Sequence, residues 1–139
     1  MALRRSVGLD ALLLTELVSA IHMSSIHVFS GPQPAGTTSA ATGTLLYSIT
    51  NGVSGLTWVV DPVLGVASKD PGQVWSGEAI ATGTAGWFRI CIGDPVSPVP
   101  GGICIDGSLG TKNADIVLRS LHVEQGTLQV ISHFDVLVL

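Results

Sequence analysis

The sequence predicts an all-β protein, an antiparallel β-sandwich of jelly-roll type with one N-terminal α-helix. Short runs of β-branched and aromatic residues are separated by turn signals about every 8 to 12 residues, a spacing typical of sandwiches. Glycine is abundant, with 17 of 139 residues, while charged residues make up only 12%. Such a composition favours strands and turns over helices.

The first part of the chain favours an amphipathic helix over about residues 6–22. Arg4 and Arg5, followed by apolar residues, superficially resemble a secretory signal, but Asp10 and Glu16 interrupt the apolar run. The run also falls short of the ~18 residues that a membrane span needs. We therefore expect no membrane partner and a helix that packs on the sheet or on a neighbouring subunit. Its apolar stripe comprises Leu3, Val7, Ala11, Leu14, Val18 and Ile21.

Strand-forming runs follow from residue 26 to the end, and Gly, Pro or Asn-Gly turn signals separate them. The run at 64–67 is interpreted as an edge strand, and 128–139 as one long closing strand with Leu128, Val130 and Phe134 on the same face. No repeat or linker divides the chain, so residues 1–139 are predicted to form one domain. The predicted strands cover about 26–30, 44–50, 56–60, 64–67, 84–93, 103–108, 114–120 and 128–139, and the segment 75–81 leads into the central hairpin.

The centre of the predicted sheet is a hairpin around a proline-rich loop at 94–102. Prolines remove ladder donors, so the sheet is interrupted there. In an antiparallel pair the numbers of opposed residues add to a constant, and placing Cys91 opposite Cys104 sets Arg89 against Asp106. The same register sets apolar residues against each other, which a slip of one residue would lose. The predicted core of the hairpin comprises Phe88, Ile90, Ile92, Ile103 and Ile105.

Cys91 and Cys104 have two interpretations in this register. They can form a cross-strand disulfide, or they can be a pair of small apolar residues. The chain holds only two cysteines, and a composition so poor in cysteine favours the second interpretation.

Catalytic and metal-binding patterns are missing from the sequence. No stretch matches a phosphate loop, a dinucleotide fingerprint, a zinc-protease helix or a nucleophile elbow. The histidines, His22, His27, His122 and His133, are not spaced as metal ligands, and the carboxylates are scattered singly. We therefore expect no enzyme, no metal and no cofactor. A net charge of −4 with only six Lys and Arg argues against a nucleic-acid partner.

The low charge also indicates how the surface is used. A mean hydropathy of +0.54 is high for a free soluble monomer, so we expect surface to be buried against copies of the chain or a larger assembly. Trp58, Trp75 and Trp87 are candidate interface residues, with a core position or a glycan-stacking role as alternatives.

Four segments together resemble a family of small structural proteins of tailed bacteriophages: 26–35, 41–46, 75–89 and 105–110. The resemblance implies a virion protein that is assembled in the host cytoplasm. With the low charge, it leads to the hypothesis of a capsid decoration (cement) protein, a homotrimer whose main partner is the major capsid protein. A tail, collar or head-to-tail joining subunit is the first alternative, and a host-glycan-binding module is the second.

Overall fold

The computed structural model describes residues 6–37, 39–52, 55–61 and 63–137. Over these residues the protein is mostly β with one helix, so the predicted all-β class with an N-terminal helix is confirmed. The helix α1 covers Val7–Ile21. The strands are β1 (Ile26–Ser30), β2 (Leu45–Ile49), β3 (Trp58–Asp61), β4 (Val66–Lys69), β5 (Trp75–Glu78), β6 (Gly83–Cys91), β7 (Cys104–Gly110), β8 (Ile116–Val117), β9 (His122–Val123), β10 (Leu128–Ile131) and β11 (Asp135–Leu137).

Local signals set the ends of α1. The Ser6 side chain accepts a hydrogen bond of 3.1 Å from the backbone N–H of Leu9, which caps the first turn. Met23 adopts the left-handed conformation just after the helix, at φ 65°, which ends it. Leu14 and Ile21 of the predicted stripe are buried and Val18 is half-buried. Outside the description lie Leu3 and the side chains of Val7 and Ala11.

The main sheet has the strand order β2-β1-β6-β7-β8, and β9 pairs with the first residues of β6. β5 pairs with β10 and also joins the end of β2, because Thr50 and Ser76 exchange two backbone hydrogen bonds of 2.9 Å. A second sheet, β11-β4-β3, packs over this layer. Trp58 of the second sheet lies edge-on to Trp75 of β5 at 4.9 Å between ring centroids, so aromatic side chains fill the space between the layers.

The register of the central hairpin is as predicted. β6 and β7 are antiparallel, and Cys91 lies opposite Cys104, Ile90 opposite Ile105 and Arg89 opposite Asp106. β1 pairs with the other edge of β6, so β6 lies in the middle of the main sheet. The predicted position of this hairpin at the centre of the sheet is therefore confirmed.

The predicted core of the hairpin is right at one end and wrong at the other. Phe88 and Ile90 are buried and Ile105 is partly buried, whereas Ile92 and Ile103 are about half exposed, at 50% and 48%. The last two face each other beyond the ends of β6 and β7, next to the proline-rich loop. Being apolar and correctly paired does not bury a residue that lies beyond the ends of its strands.

Three strand predictions are corrected by the sheet topology. The run at 64–67 was expected at an edge, but β4 is the middle strand of the second sheet. The run at 114–120 contains only the short β8, and β9 was missed. The closing strand is broken at 132–134, because β10 pairs in one layer and β11 in the other. Consequently Leu128 and Val130 are exposed while Phe134 is buried, and the three do not share a buried face.

Candidate functional site

The face of β1 and β6 that points away from the core carries large aromatic and charged side chains. We call it the outer face. Phe29 of β1 stacks on Trp87 of β6 with 4.6 Å between ring centroids, and the Arg89 guanidinium lies 5.0 Å from the Trp87 ring. A cation over an indole face is attracted by the ring quadrupole. Both faces of β6 are therefore packed.

Arg89 is completely buried, and all five of its N–H donors have acceptors. Nε and Nη2 donate to the two carboxylate oxygens of Asp106 at 2.7 and 2.9 Å, the paired geometry that suits a guanidinium. Nη1 donates to the carbonyls of Ser39 and Pro95 at 2.9 and 3.1 Å, and Nη2 also reaches the carbonyl of Gly36 at 3.4 Å. The predicted cation–anion pair is therefore formed, and it is a structural brace inside the protein.

The brace holds two loops over the outer face. One lies between β1 and β2 and contains Ser39; the other is the proline-rich loop, which contains Pro95. The loops also bond each other, since the Ala41 N–H donates to the Val96 carbonyl at 2.8 Å. Over the described residues, the outer face is thus covered by two loops of its own chain.

The two cysteines form a disulfide between β6 and β7, 13 residues apart in sequence. The preferred interpretation of them as an unlinked apolar pair is therefore wrong. The bond closes the base of the proline-rich loop, next to the Arg89 brace. A cross-link of this kind restricts the unfolded chain and fixes the ends of the loop.

The tryptophans are core residues. Trp75 and Trp87 are fully buried, and Trp58 is half-buried against Trp75 and Phe134. The prediction that Trp75 and Trp87 are interface residues is wrong, because the two layers and the outer loops enclose both rings. Trp58 belongs to the same aromatic cluster.

The four histidines lie apart from one another, and His22 is exposed at the end of α1. His27 is partly buried on the outer face, its Nδ1 is 2.8 Å from the Ser48 hydroxyl, and burial lowers its pKa. His122 and His133 are exposed, and their Nε2 atoms lie 2.6 and 3.0 Å from carboxylates of Glu124 and Asp135. Among the described residues, no three His, Cys, Asp or Glu side chains are grouped as metal ligands. Within the same ranges, no helix is long and apolar enough to cross a bilayer.

A large part of the exposed surface is apolar. On α1, Leu9, Leu12 and Leu13 are 42%, 56% and 41% exposed, and we call these three the leucine face. They follow the i, i+3, i+4 spacing with which helices pack on partners. Sequence reasoning predicted one apolar stripe and missed this second one, although a helix that is apolar on two sides could have signalled it. Other exposed apolar residues are Met23, Val59, Val63, Leu64, Val74, Ile80, Ile92, Val96, Val99, Ile103, Val117, Leu128 and Val130.

A cleft of about 730 Å³ lies between β8 and β10, and we call it the edge cleft. Its walls are polar and apolar in about equal parts, and two exposed valines, Val117 and Val130, lie among them. No carboxylate lines it, although the protein has a net charge of −4. Sequence reasoning missed this site, because β8 and β10 meet there only through the fold. The lining residues are Thr111, Val117, Leu118, Arg119, Ser120, His122, Gln129, Val130, Ser132 and His133.

Comparison of the chain with family models, with curated proteins and with solved structures finds no match. The resemblance to phage structural proteins therefore stays a prediction, and function must be inferred from the surface and the core.

Proposed function

We propose that the protein is a structural virion subunit of a tailed phage, a capsid decoration protein that forms a homotrimer and binds the major capsid protein. The observation that carries the proposal is the exposed apolar surface, above all the leucine face of α1. A free monomer rarely leaves leucines at helix-packing spacing in water. Contact with other subunits would bury them.

The energetics of such a surface suit a shell protein. Burying one leucine side chain contributes about 1.5–3 kcal/mol, so a few leucines give a modest contact. On a capsid the same contact is repeated at each subunit, and multivalent attachment raises the overall affinity without any new chemistry. The apolar side chains at the proline-rich loop, such as Val99 and Ile103, add contact area at another place on the molecule.

The braced interior also supports a mechanical role. Arg89 and Asp106, the disulfide and the stacked Phe29 and Trp87 rings hold the loops on the sheet. A subunit that strengthens a shell needs loops of fixed shape, whereas an enzyme lid must open. A glycan-binding role loses support, because Trp75 and Trp87 are buried and offer no stacking surface.

The experiment is a measurement of the native oligomer by light scattering and native mass spectrometry. We expect the wild-type protein to be a trimer. Leu12→Glu should give a monomer that is still folded and unfolds cooperatively on heating, as the wild type does. Val63→Glu is the matched control, since Val63 is 80% exposed in the β3–β4 turn and is not part of the leucine face. It should remain a trimer.

The location on the virion needs a second measurement, a cryo-EM reconstruction of the particle. Many copies on the capsid surface are expected. Density confined to the neck or tail, together with a six- or twelvefold ring in solution, would favour the joining-subunit alternative. A wild-type monomer that binds no capsid would contradict the proposal.

A further inference from the structure

Both strands that border the edge cleft have an outer edge without a strand partner among the described residues. β8 is the last strand of the main sheet and pairs with β7, and β10 pairs with β5. An unpaired edge is a template for another extended chain. Whether the cleft can use this template depends on which backbone groups point into it.

On β10, the backbone of Val130 points to the free edge. Ser76 of β5 exchanges its hydrogen bonds with Thr50, so its N–H and C=O point away from β10. Backbone direction alternates along a strand, so the neighbours of Ser76 bond β10 through Gln129 and Ile131. Val130, between these two residues, directs its N–H and C=O outward.

On β8, the backbone of Val117 points outward for the same reason. The N–H of Leu118 donates to the Gly110 carbonyl of β7 at 2.8 Å, so the preceding residue faces the other way. The Val117 side chain is 55% exposed and lines the cleft, as the 48% exposed Val130 does. Two residues that line the cleft, Val117 and Val130, thus each have outward-directed backbone groups and an exposed apolar side chain.

The charge of the cleft indicates what would fit. Arg119 lines it and forms no ion pair with any described residue. His122 and His133, the other titratable side chains of the lining, are already engaged by Glu124 and Asp135. A carboxylate opposite Arg119 would complete a charge-assisted pair, whereas a cationic group at that same place would be repelled by the guanidinium.

We propose that the edge cleft binds an extended segment of a partner protein by strand addition. The segment pairs with the free edges of β10 and β8, places apolar side chains at alternate positions against Val130 and Val117, and carries a carboxylate opposite Arg119. Backbone bonds provide the affinity in this mode, and the alternate side chains provide the specificity. This site lies apart from the leucine face, and it does not depend on the partner being a capsid protein.

The test is the binding of a labelled peptide, acetyl-Thr-Val-Asp-Val-Thr-Val-Thr-amide, measured by fluorescence anisotropy. Two matched peptides are the controls, one with Lys in place of Asp and one with alternate backbone nitrogens methylated. We expect the Lys peptide to bind about fivefold more weakly and the methylated peptide at least about tenfold more weakly. Hydrogen exchange should show protection of β10 and β8 on binding.

Variants of the protein make the test specific. Val130→Pro removes the outward N–H and leaves the β5 pairing bonds, so affinity should fall about tenfold, whereas Val130→Thr should bind as wild type. Arg119→Glu should reverse the preference between the Asp and Lys peptides. This second test can be read whether or not Val130→Pro folds.

Four outcomes would overturn the proposal. The first is that none of the peptides binds, and the second is that the methylated peptide binds as tightly as the unmethylated Asp peptide. The third is that Arg119→Glu still prefers the Asp peptide to the Lys peptide. The fourth is that the hydrogen-exchange protection of β8 and β10 rises with protein concentration when no peptide is present. The last would mean that a second copy of the chain occupies the site. A monomeric wild-type protein that still binds the Asp peptide would contradict the proposed trimer and leave this site intact.

Discussion

At the scale of single residues, Arg89 shows how a charge can be accommodated in the middle of a sheet. A buried guanidinium is costly unless its charge is paired and its donors are bonded. Asp106 supplies the charge, and carbonyls from two loops take the remaining donors. The register of the hairpin predicted the pair. The loop carbonyls could not be predicted, because every residue has a backbone carbonyl and no side chain marks the ones that bond Arg89.

Removing one member of this pair should destabilise the protein strongly. For Arg89→Met or Asp106→Leu alone we expect a loss of about 3–5 kcal/mol in the free energy of unfolding, because an unpaired buried charge remains. The double variant should lose much less than the sum, and urea denaturation of all four proteins checks this. Single losses below about 1 kcal/mol, or strict additivity, would contradict the description of a coupled buried pair.

At the scale of elements, prediction succeeded where side chains on neighbouring strands must match. The hairpin register followed from opposed residues such as Arg89 and Asp106, and it is correct. Prediction failed where tertiary context decides. The closing strand was broken because β10 and β11 pair in different sheets. Ile92 and Ile103 were exposed because they lie beyond the ends of β6 and β7. The edge cleft could not be predicted from the sequence, because it depends on where the fold places β8 and β10.

The close approach of β6 and β7 gives a prediction for the hairpin as an element. Gly107 lies opposite Phe88, and a Cβ there would be 2.3 Å from Cζ of the Phe88 ring. Gly107→Ala should therefore displace the ring and cost about 1–3 kcal/mol, the usual effect of overpacking. Thermal and urea unfolding measure the loss.

Two further variants decide whether the ring is the cause. Phe88→Leu should lower the free energy of unfolding less in the Gly107→Ala background than in the wild-type background. The reason is that the smaller side chain leaves room for the methyl group that Gly107→Ala introduces. Gly72→Ala is the matched control, since its Cβ would meet only an Asp70 carboxylate oxygen, at 3.3 Å, and it should be nearly neutral. Equal losses at Gly107 and Gly72 would contradict the packing of Phe88 on β7.

At the scale of the whole molecule, the two layers and the outer loops enclose the aromatic side chains. Phe88 meets Phe134 of the second layer at 5.4 Å between ring centroids, and Trp87 is covered on the opposite face of the same strand. A core shared by all layers unfolds as a unit in most small domains. A single buried reporter should therefore follow the stability of the entire fold.

Tyr47, the only tyrosine of the chain, is that reporter. It is fully buried, and burial raises its pKa to about 12, whereas an exposed tyrosine titrates near 10. Above pH 10 the unfolded state releases this proton and the folded state does not, so stability must fall as the pH rises, by about 2–3 kcal/mol over the interval. Absorbance at 295 nm should rise together with the loss of circular dichroism, and Tyr47→Phe should remove this part of the alkaline destabilisation. Ionisation near pH 10 with the fold intact would show that Tyr47 is open to water.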